Sequence, residues 1–219
     1  VLVARDLELA RLTGARLHIA HVSSAGACAR IRQARAAGVQ VTAEVTPHHL
    51  TLTDEAALGF DTNTKMAPPL RSREDMEACR AALAEGILDA IATDHAPHAV
   101  HEKEQDFEHA PPGILGLETA FPVCLELVRD GLLPPLQLVR RMSTAPARLL
   151  GLDAGVLREG GVGDVVVLSP DREWTYDPAK GYSKSRNSPW AGQGFRGRVE
   201  ATLVAGELAY HADRGVLVG

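Results

Sequence analysis

The sequence predicts an α/β fold followed by a small β-rich region. Three observations carry this. Up to about residue 150, short β-branched runs alternate with segments of helical period, the pattern of successive β/α units. One of those runs, Ile87-Leu88-Asp89-Ala90-Ile91-Ala92-Thr93, is mostly apolar, as a strand buried in a parallel sheet would be, and it stops in Asp94, His95, Pro97 and His98. From Gly151 the texture changes to glycine-rich turns between short β-rich runs.

Taken in order, residues 1–12 place Leu2, Leu9 and Leu12 along one helical face and Arg5, Glu8 and Arg11 along another, with Gly14 as the stop. Residues 17–22 read as a short strand. Ser23 and Ser24 suit the N-cap of a helix over 25–37, which Gly38 closes. A strand over 39–46 runs into Pro47-His48-His49, and Thr53-Asp54-Glu55 opens a short helix. Residues 60–71 lack a clear period and contain Lys65-Met66-Ala67-Pro68-Pro69-Leu70; Pro68 keeps Ala67 out of helical backbone, so the stretch reads as extended. Ser72 and Asp75 resemble a capping box ahead of Met76, Cys79 and Leu83, the buried face of a helix that ends near Gly86. After the central strand, residues 100–116 form a long polar loop around Pro111-Pro112-Gly113, and loops of that length are more often functional than not. Helices follow over 117–129, 135–142 and 144–150, with Pro135 and Pro146 in first-turn positions. Beyond them, β runs at 164–169, 173–176, 198–205 and 207–211 include a hairpin at Val204-Ala205-Gly206-Glu207-Leu208. The domain boundary is placed between residues 151 and 152.

Composition narrows the class. With 219 residues, 45% of them apolar and 23% charged, the chain is long enough to bury a core. A formal charge of −5 without a basic run argues against a nucleic-acid partner. No apolar stretch reaches membrane-spanning length, and the N-terminus is not a secretory signal. Cys28, Cys79 and Cys124 are scattered at non-metal spacings, which points to free thiols and the cytoplasm. The chain enters a helical pattern at Val1 with no start methionine, so the expectation is the later part of a longer polypeptide. It offers three or four β/α units, whereas a closed barrel needs eight over roughly 250 residues. Either the sheet is open, or this is half of a barrel.

The chemistry sits where strands end. The first strand gives His21-Val22-Ser23, the second Glu44 and Thr46-Pro47-His48-His49, the third Asp94 and His98. In a parallel barrel these ends gather on one face. Imidazole nitrogen and carboxylate oxygen are the usual ligands of a catalytic zinc. Such an ion lowers the pKa of a bound water to about 7, and a nearby carboxylate can then take its proton. Asp94 therefore reads as a metal ligand or proton acceptor and His98 as a substrate contact; the alternative is an Asp94 that caps its own turn. His18 and His21 alternate along a strand, so at most one of them shares a face with the site. His48 and His49, taken singly, suit a loop as well as a role. His101, His109 and His211 are given none. There is no nucleophile elbow, phosphate loop or dinucleotide fingerprint.

Four blocks carry a resemblance: Ala20-His21-Val22-Ser23, Glu44-Val45-Thr46-Pro47-His48-His49-Leu50, Lys65-Met66-Ala67-Pro68-Pro69-Leu70-Arg71 and Thr93-Asp94-His95-Ala96-Pro97-His98. In order and spacing, and with the later Ser185-Arg186-Asn187-Ser188-Pro189-Trp190 and Gly197-Arg198-Val199, they resemble the dihydroorotases of the amidohydrolase superfamily over essentially the whole chain. The resemblance implies the C-terminal half of a metal-dependent (β/α)8 barrel over residues 1–151 and a small sandwich-like composite β domain over 152–219. It implies zinc, one or two ions, with His21 and Asp94 as ligands and Asp94 also as the catalytic base and acid. His98 would contact the substrate carboxylate, Pro112 and Gly113 would offer backbone contacts to the pyrimidine ring, and Glu44 and His49 would line the site. The implied reaction interconverts dihydroorotate and N-carbamoyl-aspartate in pyrimidine synthesis. A homodimer, or a complex with aspartate transcarbamoylase, is the implied assembly.

Two departures matter. The family's His-x-His pair, its bridging carboxylate or carboxylated lysine and a further ligand histidine belong to the barrel's first half and have no counterpart here. Ala67 stands where bacterial members usually carry an asparagine that touches substrate. Two rivals follow: a dihydropyrimidinase or allantoinase, and a non-catalytic scaffold subunit. The chain by itself is expected to lack a full ligand set and to be inactive.

Overall fold

The computed structural model describes residues 1–217. They form two compact units, Val1–Ala120 with Pro178–Ala191, and Phe121–Asp177 with the chain from Gly192 onward. The cut after Ala120 differs from the boundary expected at residue 151.

The first unit opens with helix α1 (Leu2–Thr13), which ends where Gly14 takes left-handed backbone at φ 70°. Strand β1 (Leu17–Ile19) is followed by α2 (Ala25–Ala36), where the Ser24 hydroxyl accepts the Ala27 amide at 3.3 Å. Next come β2 (Val41–Val45), the short α3 (Pro47–Thr51) capped by Thr46, and α4 (Arg73–Glu85), capped by Ser72 and closed by Gly86 at φ 83°. Strand β3 (Ala90–Ile91) and α5 (Val100–Lys103) complete the set. The three strands form one parallel sheet in the order β1-β2-β3, with Ile19 opposite Ala43 and Glu44 opposite Ala90. The alternation expected from sequence is therefore present, and the three strand ends lie side by side.

Packing follows the alternation of β2. Val41, Ala43 and Val45 are buried, while Thr42 and Glu44 point to the other face. Ile31, Leu50, Cys79, Leu83 and Leu88 are fully enclosed. Arg35 of α2 pins the starts of β2 and β3: its guanidinium donates to the carbonyls of Val41 (3.0 Å) and Gly86 (2.8 Å) and pairs with Asp89, whose carboxylate also accepts the Ala43 amide at 2.8 Å.

Two expectations are corrected here. The buried face of α1 is Leu7 and Ala10, and Leu2, Leu9 and Leu12 are exposed. The helical period was right, but α1 packs on β1 and α2 through its opposite side. His48 and His49 are not loop histidines. They lie in α3, with Pro47 at its first position, and both are buried.

The second unit begins within α6 (Ala120–Arg129) and continues through α7 (Pro135–Val139), a π turn at Arg140–Thr144, and α8 (Ala145–Leu149). Two helices were expected over 135–150; one nearly continuous helix is found. Pro146 has no amide to donate and its ring crowds the preceding turn, so the wider turn forms just ahead of it. The strands β4 (Val165–Thr175), β5 (Gly194–Val204), β6 (Glu207–His211) and β7 (Gly215–Val216) form an antiparallel meander in sequence order. Helix α6 belongs with these strands because Arg129 donates to the Arg196 and Pro170 carbonyls at 2.8 and 2.6 Å, and because Leu125 lies over Gly197 so closely that a Cβ there would stand 2.5 Å from it. The expected hairpin turns at Ala205 (φ 52°) and Gly206 (φ 85°). Among the described residues no helix is long and apolar enough to cross a membrane.

Candidate active site

All eight residues expected at the site fall in the first unit. His21, Glu44 and Asp94 come together. His21 Nδ1 lies 3.0 Å from Glu44 Oε1, close enough for an ion pair although the ring N–H is not well aligned on the oxygen. His21 Nε2 lies 3.5 Å from Asp94 Oδ1. The local fold explains the meeting. Glu44 is in β2, the Val22 amide donates to the Glu44 carbonyl at 2.9 Å, and His21 and Asp94 follow the ends of β1 and β3. Both take left-handed backbone, φ 52° and 50°, which turns their side chains out of the strand alternation.

This turn corrects the expectation that only one of His18 and His21 could share a face with the site. β1 ends at Ile19, so the period of two does not reach His21. His18 also meets Glu44, with Nε2 3.2 Å from Oε2 and Nδ1 2.8 Å from the Thr42 hydroxyl. Glu44 thus faces two imidazoles. Its pKa is held low, first by the close contact with His21, and that of His21 is raised, first by Glu44 and further by the charge of Asp94. Sequence reasoning had no signal for His18, because its role depends on the cross-strand register with Thr42.

His49 does different work. Its Nδ1 is 2.7 Å from the Thr46 hydroxyl, and its Nε2 lies 3.1 and 3.3 Å from the carbonyls of Pro68 and Pro69. It anchors the segment that carries Ala67, which is itself exposed. His48 packs against it, with ring centroids 4.5 Å apart, and burial drives the His48 pKa down to about 2.

His98, Pro112 and Gly113 form a second group. His98 Nε2 lies 3.1 Å from the Pro112 carbonyl and Nδ1 3.6 Å from Glu102. A Cβ on Gly113 would stand 2.6 Å from Ala96 Cβ and 3.1 Å from His98 Nε2, so only glycine permits this approach.

The first group suits a metal. Two bonds of about 2.0–2.1 Å at a tetrahedral angle set their donor atoms roughly 3.4 Å apart, close to the 3.5 Å between His21 Nε2 and Asp94 Oδ1. A carboxylate on the opposite ring nitrogen, as Glu44 is placed, is the usual outer partner of a ligand histidine. Among the described residues no group of three or more His, Cys, Asp or Glu side chains could hold an ion, so the pair by itself could supply at most part of a ligand set.

Residues 6–209 match the amidohydrolase family. The chain is 55% identical over 216 residues to a dihydroorotase of Anaeromyxobacter dehalogenans, covering 98% of this chain and 50% of that protein. It is 55% identical over 213 residues to a dihydroorotase of Syntrophus aciditrophicus, with 97% and 50% covered. Among solved structures it is similar to an L-hydantoinase (dihydropyrimidinase) from Arthrobacter aurescens, with a TM-score of 0.92, 33% identity and coverage of 99% of this chain and 49% of that one. A dihydropyrimidinase from Brevibacillus agri gives 0.89 at 28% identity, covering 97% and 48%. The chain spans about half the length of the curated relatives it matches. The family match extends over most of the chain's length: the chain belongs to the amidohydrolase family.

Proposed function

We propose that this chain carries the Asp94 side of a dihydroorotase active site, as the C-terminal half of a (β/α)8 barrel with a small β domain. The observation that carries the reading is the His21–Asp94 pair, backed by Glu44 at adjacent parallel strand ends. The dihydroorotases among its relatives support the substrate, and the family is generally metal-dependent. Zinc, one or two ions, held in part by His21 Nε2 and Asp94, would polarise the ring carbonyl and lower the pKa of the attacking water. Asp94 accepts a proton from that water and returns it to the ring nitrogen as the amide C–N bond breaks, giving N-carbamoyl-aspartate. Glu44 keeps His21 in the tautomer that leaves Nε2 free. His98 and the backbone at Pro112-Gly113 hold the substrate carboxylate and ring. Three free cysteines fit a reducing compartment, the cytoplasm.

The solved dihydropyrimidinases and the exposed Ala67 favour one second reading, a hydrolase of uncarboxylated rings. A chimera joining the N-terminal half of the A. dehalogenans relative to this chain separates the two. Metal-dependent hydrolysis of dihydroorotate is expected. Preference for dihydrouracil or allantoin would replace the first reading with the second, and a folded chimera inert toward all three would favour a scaffold.

A further inference from the structure

The wall built by His98 and Gly113 depends on a residue that lies far away in the chain. Asn187 is buried, at 3% exposure, in the segment Pro178–Ala191 that packs with the first unit. Its side-chain oxygen accepts the His98 amide at 3.1 Å. Its side-chain nitrogen donates to the Ala96 carbonyl at 2.8 Å and to the Gly113 carbonyl at 3.1 Å. Its own carbonyl accepts the Leu115 amide at 2.9 Å. The partners fix the orientation of the amide, since only oxygen can take the N–H and only nitrogen can serve two carbonyls. One side chain therefore ties the 96–98 segment to the 113–115 segment.

The rest of the contact is already tight. The Ala96 amide donates to the Ile114 carbonyl at 2.8 Å, and buried Lys103 gives the Gly113 carbonyl a second donor at 3.2 Å while holding the Pro111 carbonyl at 2.9 Å. Gly113 has no room for a side chain against Ala96 and His98. The buried carboxamide thus works alongside the direct Ala96–Ile114 and His98–Pro112 bonds to hold His98 against the Gly113 backbone.

We propose that Asn187 is a positioning residue that fixes the distance between His98 and Gly113 and so tunes affinity for the substrate carboxylate. This rests on the reading of His98 and Gly113 as substrate contacts given above. Asn187→Asp tests it with nearly the same shape: the acceptor for His98 remains, but a charged oxygen now faces the carbonyls of Ala96 and Gly113. Two readouts are combined. In the 219-residue chain, amide exchange at His98 and Leu115 is expected to speed up by about 10-fold or more. In the chimera, KM for dihydroorotate is expected to rise about 10-fold while kcat stays within about 3-fold, with dihydrouracil affected less. A merely structural role would lower the active fraction and hence kcat, with KM unchanged, and that result overturns the proposal. Unchanged exchange overturns it whatever the chimera does. A wild-type chimera with no dihydroorotase turnover overturns the functional reading instead, and exchange then decides for Asn187. If Asn187→Asp does not fold, Asn187→Ser removes all three side-chain bonds without adding charge, and the same outcomes apply.

Discussion

Four described non-glycine residues take left-handed backbone, and two of them are His21 and Asp94. That conformation costs roughly 1–2 kcal/mol for most side chains, and asparagine and aspartate tolerate it best. Asp94→Asn therefore keeps both the shape and the backbone, and its effect is chemical. It is expected to lower kcat of the chimera by about 10²-fold with a much smaller change in KM; near-normal kcat would remove Asp94 from proton transfer. His48 gives a prediction of a different kind. Its folded pKa of about 2 lies below the ordinary histidine value near 6.5. Between those values the unfolded chain holds a proton that the folded chain does not, so this contribution is fully present above about pH 6.5 and is lost as pH falls, by up to ~1.4 kcal/mol per unit. Urea midpoints at pH 7 and 5 should differ less in His48→Gln than in wild type, and equal differences would refute the assignment. His21 and Asp94 were legible because each stands just past a short β-rich run, and Glu44 because it is the one carboxylate in the run over 39–46. His18 and Asn187 were not, since the side-chain partners of His18 lie 24 and 26 positions away and those of Asn187 lie 74, 89 and 91 positions away.

At the scale of elements, ends were legible and faces were not. Gly14, Ser24, Ser72 and Gly86 act on backbone groups within a few residues, so the sequence alone places them. Which side of α1 is buried depends on β1 and α2, and the leucine stripe gave the wrong side. The Arg35 clamp across α2, β2 and β3 was likewise invisible. Arg35→Ala would strand the half-buried Asp89 carboxylate and release two carbonyls, and a loss of about 2–3 kcal/mol is expected in chemical denaturation. A loss under about 0.5 kcal/mol would show that water replaces the clamp. In the β5–β6 hairpin, Ala205 occupies a positive-φ position of a two-residue turn that favours Asn-Gly. Ala205→Asn is expected to stabilise by roughly 0.5–1 kcal/mol, read as a raised Tm. A lowered Tm would mean that the Ala205 amide bond to Asp164, at 2.7 Å, already sets the turn and the new side chain disturbs it.

At the scale of the molecule, the first unit leaves apolar surface and hydrogen-bonding groups uncovered. Its sheet has three strands, so β1 and β3 each present an edge unpaired by any other strand among the described residues. Leu2, Leu9 and Leu12 on α1 are 65%, 52% and 66% exposed. Open strand edges beside an apolar stripe template association between copies. Beside them, His21 and Asp94 would supply two ligands under the proposed reading, where a catalytic zinc usually takes three protein ligands plus water. The 219-residue chain made alone is therefore expected to self-associate, to hold zinc at well below one ion per chain after dialysis, and to show no dihydroorotate turnover. Light scattering coupled to gel filtration, metal analysis and the hydrolysis assay measure the three. Replacing Leu2, Leu9 and Leu12 with glutamine should shift the population toward monomer without restoring metal or activity, because it covers no edge and adds no ligand. A wild-type monomer with stoichiometric zinc and turnover would mean that this chain builds a complete site from its own residues, and the half-barrel reading would fall.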